Sequence, residues 1–226
     1  MLLKDILMAK KKHLTENDII TFYMNYVLEH NDKPKTVYAF AKQNNFEESK
    51  FYEFFGSFDA VEKGIFKAFF DNTHKALEAS EDYKNFEPRN KLLSFYFTFF
   101  ENLTANRSYV IYALHQHKNS MKSLRILGDL KTSFTHYIEH LGIELLDVKQ
   151  DQLEKIQNRG LKETAWLQLL LTIKFWMDDT SASFEKTDIF IEKSVNTSFD
   201  VLNIAPLKSL IDFGKFVFKE SRQRNS

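Results

Sequence analysis

Seven histidines and no cysteine bound the chemistry open to this chain. His136 and His140 stand four residues apart, a spacing that on a helix brings two imidazoles to one face and suits two metal ligands. His115-x-His117 is a second pair. A zinc site needs a third donor, and Glu139, although adjacent, diverges from His140 by about a hundred degrees around a helix. The histidines therefore read as surface or cavity-lining groups, and no metal is expected. Asp178-Asp179 resembles a catalytic carboxylate pair, but sequence neighbours do not share a helix face, so the pair reads as a solvated helix end. The absence of Cys removes disulfides, thiolate nucleophiles and Cys-ligated zinc together. No G-x-S-x-G, phosphate-binding Gly loop or dinucleotide fingerprint occurs. The chain reads as non-enzymatic, with no cofactor.

The elements that carry these residues read as helices throughout. Only 6 Gly and 3 Pro occur in 226 residues, too few for a sheet protein that turns every ten residues. The first helix starts at Thr15, where T-E-N-D resembles a capping box, and ends before Asn31-Asp32-Lys33-Pro34. Thr36 caps a short helix with Val37, Phe40 and Ala41 inward, Asn44-Asn45 follow, and a second short helix runs from Glu47 to Phe55. Gly56 reads as a left-handed stop and Ser57 as the cap of a long helix over 59–79. A polar connection over 80–88 leads to helices at about 89–103, 107–118, 121–141, 149–178, 188–203 and 207–220.

Thr36 to Phe55 has the dimensions of a helix-turn-helix, two short helices joined by three or four residues. Ala41 is small where the helices cross, and Asn45 sits where the turn wants a residue tolerant of positive φ. Phe46, Phe51 and Phe55 face inward, leaving Glu47, Glu48, Lys50 and Glu53 outward. The run TVYAFAKQNNFEESKFYEFFGSFDAVEKGIF resembles the DNA-binding domain of the TetR family, whose pattern is T-V-x-x-I-A-x-x-A-G-V-S-x-x-x-L-Y-x-[YH]-F-x-[SN]-K-[ED]-x-L. Thr36, Val37, Ala41, Tyr52, Phe55, Ser57 and Asp59 match it, as do the apolar Phe40, Phe46, Phe51 and Val61.

That resemblance implies an all-α fold: an N-terminal three-helix DNA-binding-type domain over 1–62 and a larger helical effector-binding and dimerisation domain over 63–226. Its DNA-binding positions fall on Thr36, Lys42, Asn45, Glu48, Ser49, Lys50, Tyr52 and Phe54. Tyr52 is the family's frequent phosphate contact. Several positions depart from the pattern. Glu47 replaces a Ser or Thr cap, Phe54 a Tyr or His, and Phe58 a Lys that commonly contacts phosphate. Glu47, Glu48 and Glu53 against Lys50 leave the second short helix at a net charge of minus two. Duplex binding rests on neutralised phosphates, and no Arg precedes Arg89, so Lys33, Lys35, Lys42, Lys50 and the run Lys10 to Lys12 form the available cationic fringe. Acidic side chains also accept from cytosine.

The 31 basic and 31 acidic residues cancel, which excludes a global field toward nucleic acid or an anionic membrane. No leader peptide or bilayer-spanning run is apparent, and the expectation is a cytoplasmic protein without membrane insertion. By resemblance, Arg159 to Met177 and Asp188 to Leu202 supply a homodimer interface, with Leu161, Ala165, Trp166, Leu169, Leu170, Ile173 and Trp176 apolar on the first, and Ile189, Ile191, Val195, Phe199 and Leu202 on the second. The aromatic run Leu92 to Phe100 is either core or cavity wall, and Phe95, Phe99, Tyr112 and Trp176 are the candidate contacts for a small hydrophobic ligand. The resemblance implies a transcriptional regulator in which effector binding resets two DNA-binding heads needing about 34–36 Å separation. The alternative is a relative that has given up DNA for a lipid or protein partner, like the lipid-binding relatives of this fold in ubiquinone biosynthesis.

Overall fold

The computed structural model describes residues 13–115, 125–143 and 151–203, and every regular element among them is helical. Lys10 to Lys12, His117 and the helix expected over 207–220 lie outside the described residues. The helices are α1 (Glu16–His30), α2 (Val37–Gln43), α3 (Glu48–Tyr52), α4 (Phe58–Glu78), α5 (Glu81–Lys84), α6 (Pro88–Ala105), α7 (Arg107–His115), α8 (Gly128–His140), α9 (Asp151–Asp178) and α10 (Glu185–Asn203). No helix among the described residues is long and apolar enough to cross a membrane. The chain separates into two packed units, one of residues 1–68 and 106–129, the other of 69–105 and 130–226.

In the first unit, local chemistry fixes the helix starts. Thr15 and Asp18 close a reciprocal capping box on α1, Thr36 Oγ1 accepts from Ala39 N at 3.1 Å, and Ser57 Oγ accepts from Ala60 N at 3.2 Å. Asn31 ends α1 in the left-handed region (φ 50°), and Asn45 takes φ 58° in the turn between α2 and α3, a conformation that Asn tolerates better than most side chains. Gly56 does not adopt the left-handed stop expected of it. Instead α3 closes earlier, at Tyr52, when Phe54 N and Phe55 N both donate to Phe51 O. Phe55 then reaches α4 at Gly64, where a Cβ would stand 2.8 Å from the Phe55 ring. The missing side chain lets the segment after α3 close down on α4.

Aromatic rings fill the space so enclosed. Phe40 and Phe51 are fully buried, and Phe58 wedges between them, 5.4 Å from Phe40, 5.3 Å from Phe51 and 5.6 Å from Tyr23. The Phe40 and Phe51 pairs are edge-to-face and the Tyr23 pair is stacked, and aromatic pairs of either kind add about 0.5–1.5 kcal/mol each beyond area burial. Glu62 lies within this core at 2% exposure. Its two oxygens accept from Tyr23 Oη at 2.9 Å and Lys33 Nζ at 2.7 Å. A buried charge persists only when paired and hydrogen-bonded, and this one ties α1 and the α1–α2 loop to α4. Burial, reinforced by the Glu62 carboxylate, pushes the Tyr23 phenol far above its usual range, so it stays a donor.

In the second unit, α6 runs through the core. Phe95 packs on Phe70, Phe99, Phe134 and Tyr137, with ring centroids 4.9–5.5 Å away. Trp176 of α9 is fully buried against Phe100 and donates Nε1–H to Thr104 Oγ1 at 3.0 Å. The polar 80–88 connection contains α5: Ser80 caps it, and Tyr83 is buried with its hydroxyl 2.9 Å from that of Tyr137. Tyr137 donates onward to the Lys91 carbonyl at 3.2 Å, so Tyr83 is the donor between the two phenols.

Asp178 and Asp179 part company at the end of α9. Asp178 is exposed and pairs with Lys174 at 2.8 Å, as a solvated helix end should. Asp179 is only 6% exposed and corrects that reading. It accepts from the backbone N and hydroxyl of both Ser181 and Thr187, at 2.7–2.9 Å, and so organises the left-handed bend at Ser183 and Phe184 that returns the chain into α10. Burial alone would raise the Asp179 carboxyl, but these four bonds outweigh it and hold the group well below the ordinary carboxylate range.

Two outcomes test these anchors. Lys33→Met should destabilise the protein by about 3 kcal/mol in denaturant unfolding, far more than a surface lysine, because it leaves Glu62 buried without its cation. Since the folded-state value of Asp179 is depressed, its contribution is full above the unfolded value of about 3.9 and is lost as pH falls below it. Unfolding free energy should therefore decline between about pH 5 and pH 2, with a shallower slope in Asp179→Asn; equal slopes would deny Asp179 this role.

Candidate functional site

Each candidate position on the α2–α3 surface has a definite setting. Thr36 spends its hydroxyl on the α2 cap. Tyr38 and Lys42 share the exposed face of α2, the ammonium 6.0 Å from the ring centroid, and Tyr38 is 60% exposed. Asn45, Ser49 and Lys50 are exposed, and Phe54 and Glu48 are half-buried. Tyr52 is 53% exposed, and its hydroxyl makes a long 3.4 Å contact with Glu48 Oε1. Glu47 occupies the α3 cap position without a side-chain capping bond, as expected of a residue that replaces Ser or Thr.

The lysine fringe is thinner than the sequence suggests. Lys33 lies in the Glu62 and Asp59 ion pairs, at 2.7 and 3.5 Å, and does not offer a loose ammonium to an external phosphate. Lys50 pairs with Glu53 at 2.6 Å, but both side chains are about half exposed, a geometry worth under about 1 kcal/mol. Lys35 and Lys42 are exposed. Phe58, where the resemblance places a phosphate-contacting Lys, is half-buried and packs its ring on Tyr23, Phe40 and Phe51.

In the second unit a cleft of about 590 Å³ opens beside α4, α5 and α8. Phe70, Tyr83 and Tyr137 line it, and His74, His136 and His140 stand with them. Burial raises both phenols above their ordinary range; at Tyr137 the Tyr83 contact adds to the rise. Neither titrates near neutrality, so both remain hydrogen-bonding groups of fixed charge. Of the four residues expected to touch a ligand, Phe95 and Phe99 are fully buried and stack at 5.5 Å, one layer behind Tyr137. Trp176 is fully buried beside Phe100, and Tyr112 is half-buried in the first unit. None of the four lines the cleft. The residues that do, Phe70, Tyr83 and Tyr137, come from three separate segments, and only their aromatic character marked them in advance.

The two long helices also differ from the sequence expectation. Ala165, Trp166, Leu169, Ile173 and Trp176 of α9, with Ile191 and Val195 of α10, are buried within the chain's own second unit. The apolar groups left outside are Leu167 and Leu171, the latter 51% exposed, together with Ile189 and Val201. Phe175 and Phe190 stack between them at 4.5 Å, in a shallow apolar groove that Ile189 and Thr197 also line.

No curated protein matches the chain. Residues 91–217, more than half of its length, match the family described as Tetracyclin repressor-like, C-terminal domain. With an N-terminal helical region ahead of a larger helical C-terminal region, the chain belongs to this TetR-like family, whose all-helical domain is typical of non-catalytic transcriptional regulators.

Proposed function

We propose that the protein is a TetR-like transcriptional regulator: a homodimer that presents α2 and α3 as a helix-turn-helix to duplex DNA and responds to a small hydrophobic effector. The observation that carries this reading is the division of labour along 36–58. Phe40, Phe51, Phe55 and Phe58 pack inward, Asn45 takes the strained turn, and Tyr38, Lys42, Ser49, Lys50 and Tyr52 are left on the surface. On this reading the DNA-binding domain is 1–62 and the effector and dimerisation domain is 63–226. The cleft floored by Phe70, Tyr83 and Tyr137 receives the effector, with Phe95 and Phe99 as the rigid layer beneath it.

The dimer uses the apolar groups left exposed on α9 and α10. The exposed Leu167 and Leu171 and the half-buried Phe175 recur every fourth residue, so they form one stripe, and the Phe175–Phe190 stack joins it to α10. A second copy related by a two-fold axis covers such a self-complementary stripe. A second reading, a TetR-like protein that has exchanged DNA for a lipid or protein partner, is favoured by one observation: Glu47, Glu53 and the half-buried Glu48 dominate the α3 surface.

Salt dependence separates the two. The regulator should retain a mixed-sequence duplex at about 50 mM salt and release it at about 200 mM, and Lys42→Glu with Lys50→Glu should abolish retention. A protein that retains no duplex at the lower salt is not a DNA-binding regulator. In light scattering the wild type should show twice the chain mass, and Leu171→Glu with Ile189→Glu should show a folded monomer; a monomeric wild type at micromolar concentration would refute the dimer.

A further inference from the structure

We propose that His136, Glu139 and His140 of α8 form a binding site for a divalent first-row transition ion on the rim of the second unit's cleft. One donor atom from each lies within 4.8 Å of the other two, and all three side chains are exposed. The hundred degrees separating Glu139 from His140 describes the Cβ directions. The longer Glu side chain reaches back across the turn, so its carboxylate joins the two imidazoles, which the i, i+4 spacing has already placed on one face.

The imidazoles are set up as ligands. Their ring centroids are 4.2 Å apart with planes inclined at 51°, so the rings converge without stacking flat. His140 Nδ1 lies 2.9 Å from the His136 carbonyl oxygen, and a carbonyl only accepts, so Nδ1 carries the proton in this contact. In the neutral ring this leaves the Nε2 lone pair for a metal, with the backbone bond fixing tautomer and ring orientation. Glu139 is oriented from outside: Lys162 Nζ of α9 donates to its Oε1 at 3.2 Å. The second oxygen keeps its lone pairs for the ion, and a ligating carboxylate that also accepts from an outer group is the common arrangement.

Two imidazole nitrogens and one carboxylate oxygen select zinc, cobalt, nickel or copper over calcium and magnesium, which favour all-oxygen shells. Three protein ligands leave at least one coordination position open. His136 and His140 also line the cleft, so a water or an anionic group of a molecule lying there takes that position. The site stands independently of whether the protein binds DNA.

The test uses full-length, untagged protein stripped with chelator and titrated with Co²⁺ and Zn²⁺, reading heat and the visible absorption of cobalt. The expected result is one saturable site per chain in the micromolar range. His136→Ala and His140→Ala should each weaken it by about tenfold or more, Glu139→Gln should weaken it by less, and His115→Ala should leave it unchanged. Because the three ligands are exposed, circular dichroism of each variant should match the wild type. Absence of saturable binding, or binding of equal strength in the His136 and His140 variants, would overturn the assignment.

Discussion

The Glu62 carboxylate cannot reach water, and much of the first unit is arranged around that constraint. A charge at 2% exposure needs both oxygens occupied, and Tyr23 from α1 and Lys33 from the α1–α2 loop supply the two donors. Lys33 is followed by Pro34, itself buried, so fixing the ammonium also fixes where the chain turns toward α2. The start of α2 in turn sets where Phe40 meets Phe51 and Phe58. A neutral side chain at 62 would still leave an aromatic core, but the loop entering α2 would lose its anchor.

The second unit repeats the device at a different junction. Asp179 is held by four donors from Ser181 and Thr187, and the chain there passes through two residues with positive φ that are not glycine. Such backbone persists only when its surroundings over-determine it, and the Asp179 bonds do so. With α9 returned into α10 at this point, Trp176 and Ile191 both bury, while Leu167, Leu171 and Ile189 of the same two helices stay exposed and Phe175 and Phe190 stay half-buried. The Asp179 bonds thus help set which apolar residues of α9 and α10 enter the core and which stay exposed.

What was legible in the sequence follows from range. Caps at Thr15, Thr36 and Ser57, the Asn45 turn and the inward Phe40, Phe51 and Phe55 are decided within a few residues, and each stands as the local pattern requires. The partner of Lys33 is 29 residues away, and nothing near Lys33 announces a buried carboxylate. Phe58 reads as a lost phosphate contact because the pattern records which residue is absent and not what the replacement touches. Backbone direction turns Glu139 away from His140, whereas side-chain length decides whether their donors converge. The apolar faces of α9 and α10 are visible, but a one-dimensional pattern does not tell which of their residues the core takes and which stay exposed.

Lys33 and Lys50 show how this bears on function. In the sequence they are equivalent members of a cationic fringe, and in the structure each holds a carboxylate at 2.6–2.7 Å. The partners differ. Glu53 is half exposed, so exchanging it for a phosphate costs Lys50 less than about 1 kcal/mol, and water solvates the carboxylate left behind. Removing Lys33 from Glu62 would strand a buried anion at a cost of about 3 kcal/mol or more, which a solvent-screened phosphate contact does not offset. A polyanion can therefore recruit Lys50 and not Lys33. Burial of the partner, rather than the position of the lysine, determines which cations this surface can spend on a ligand.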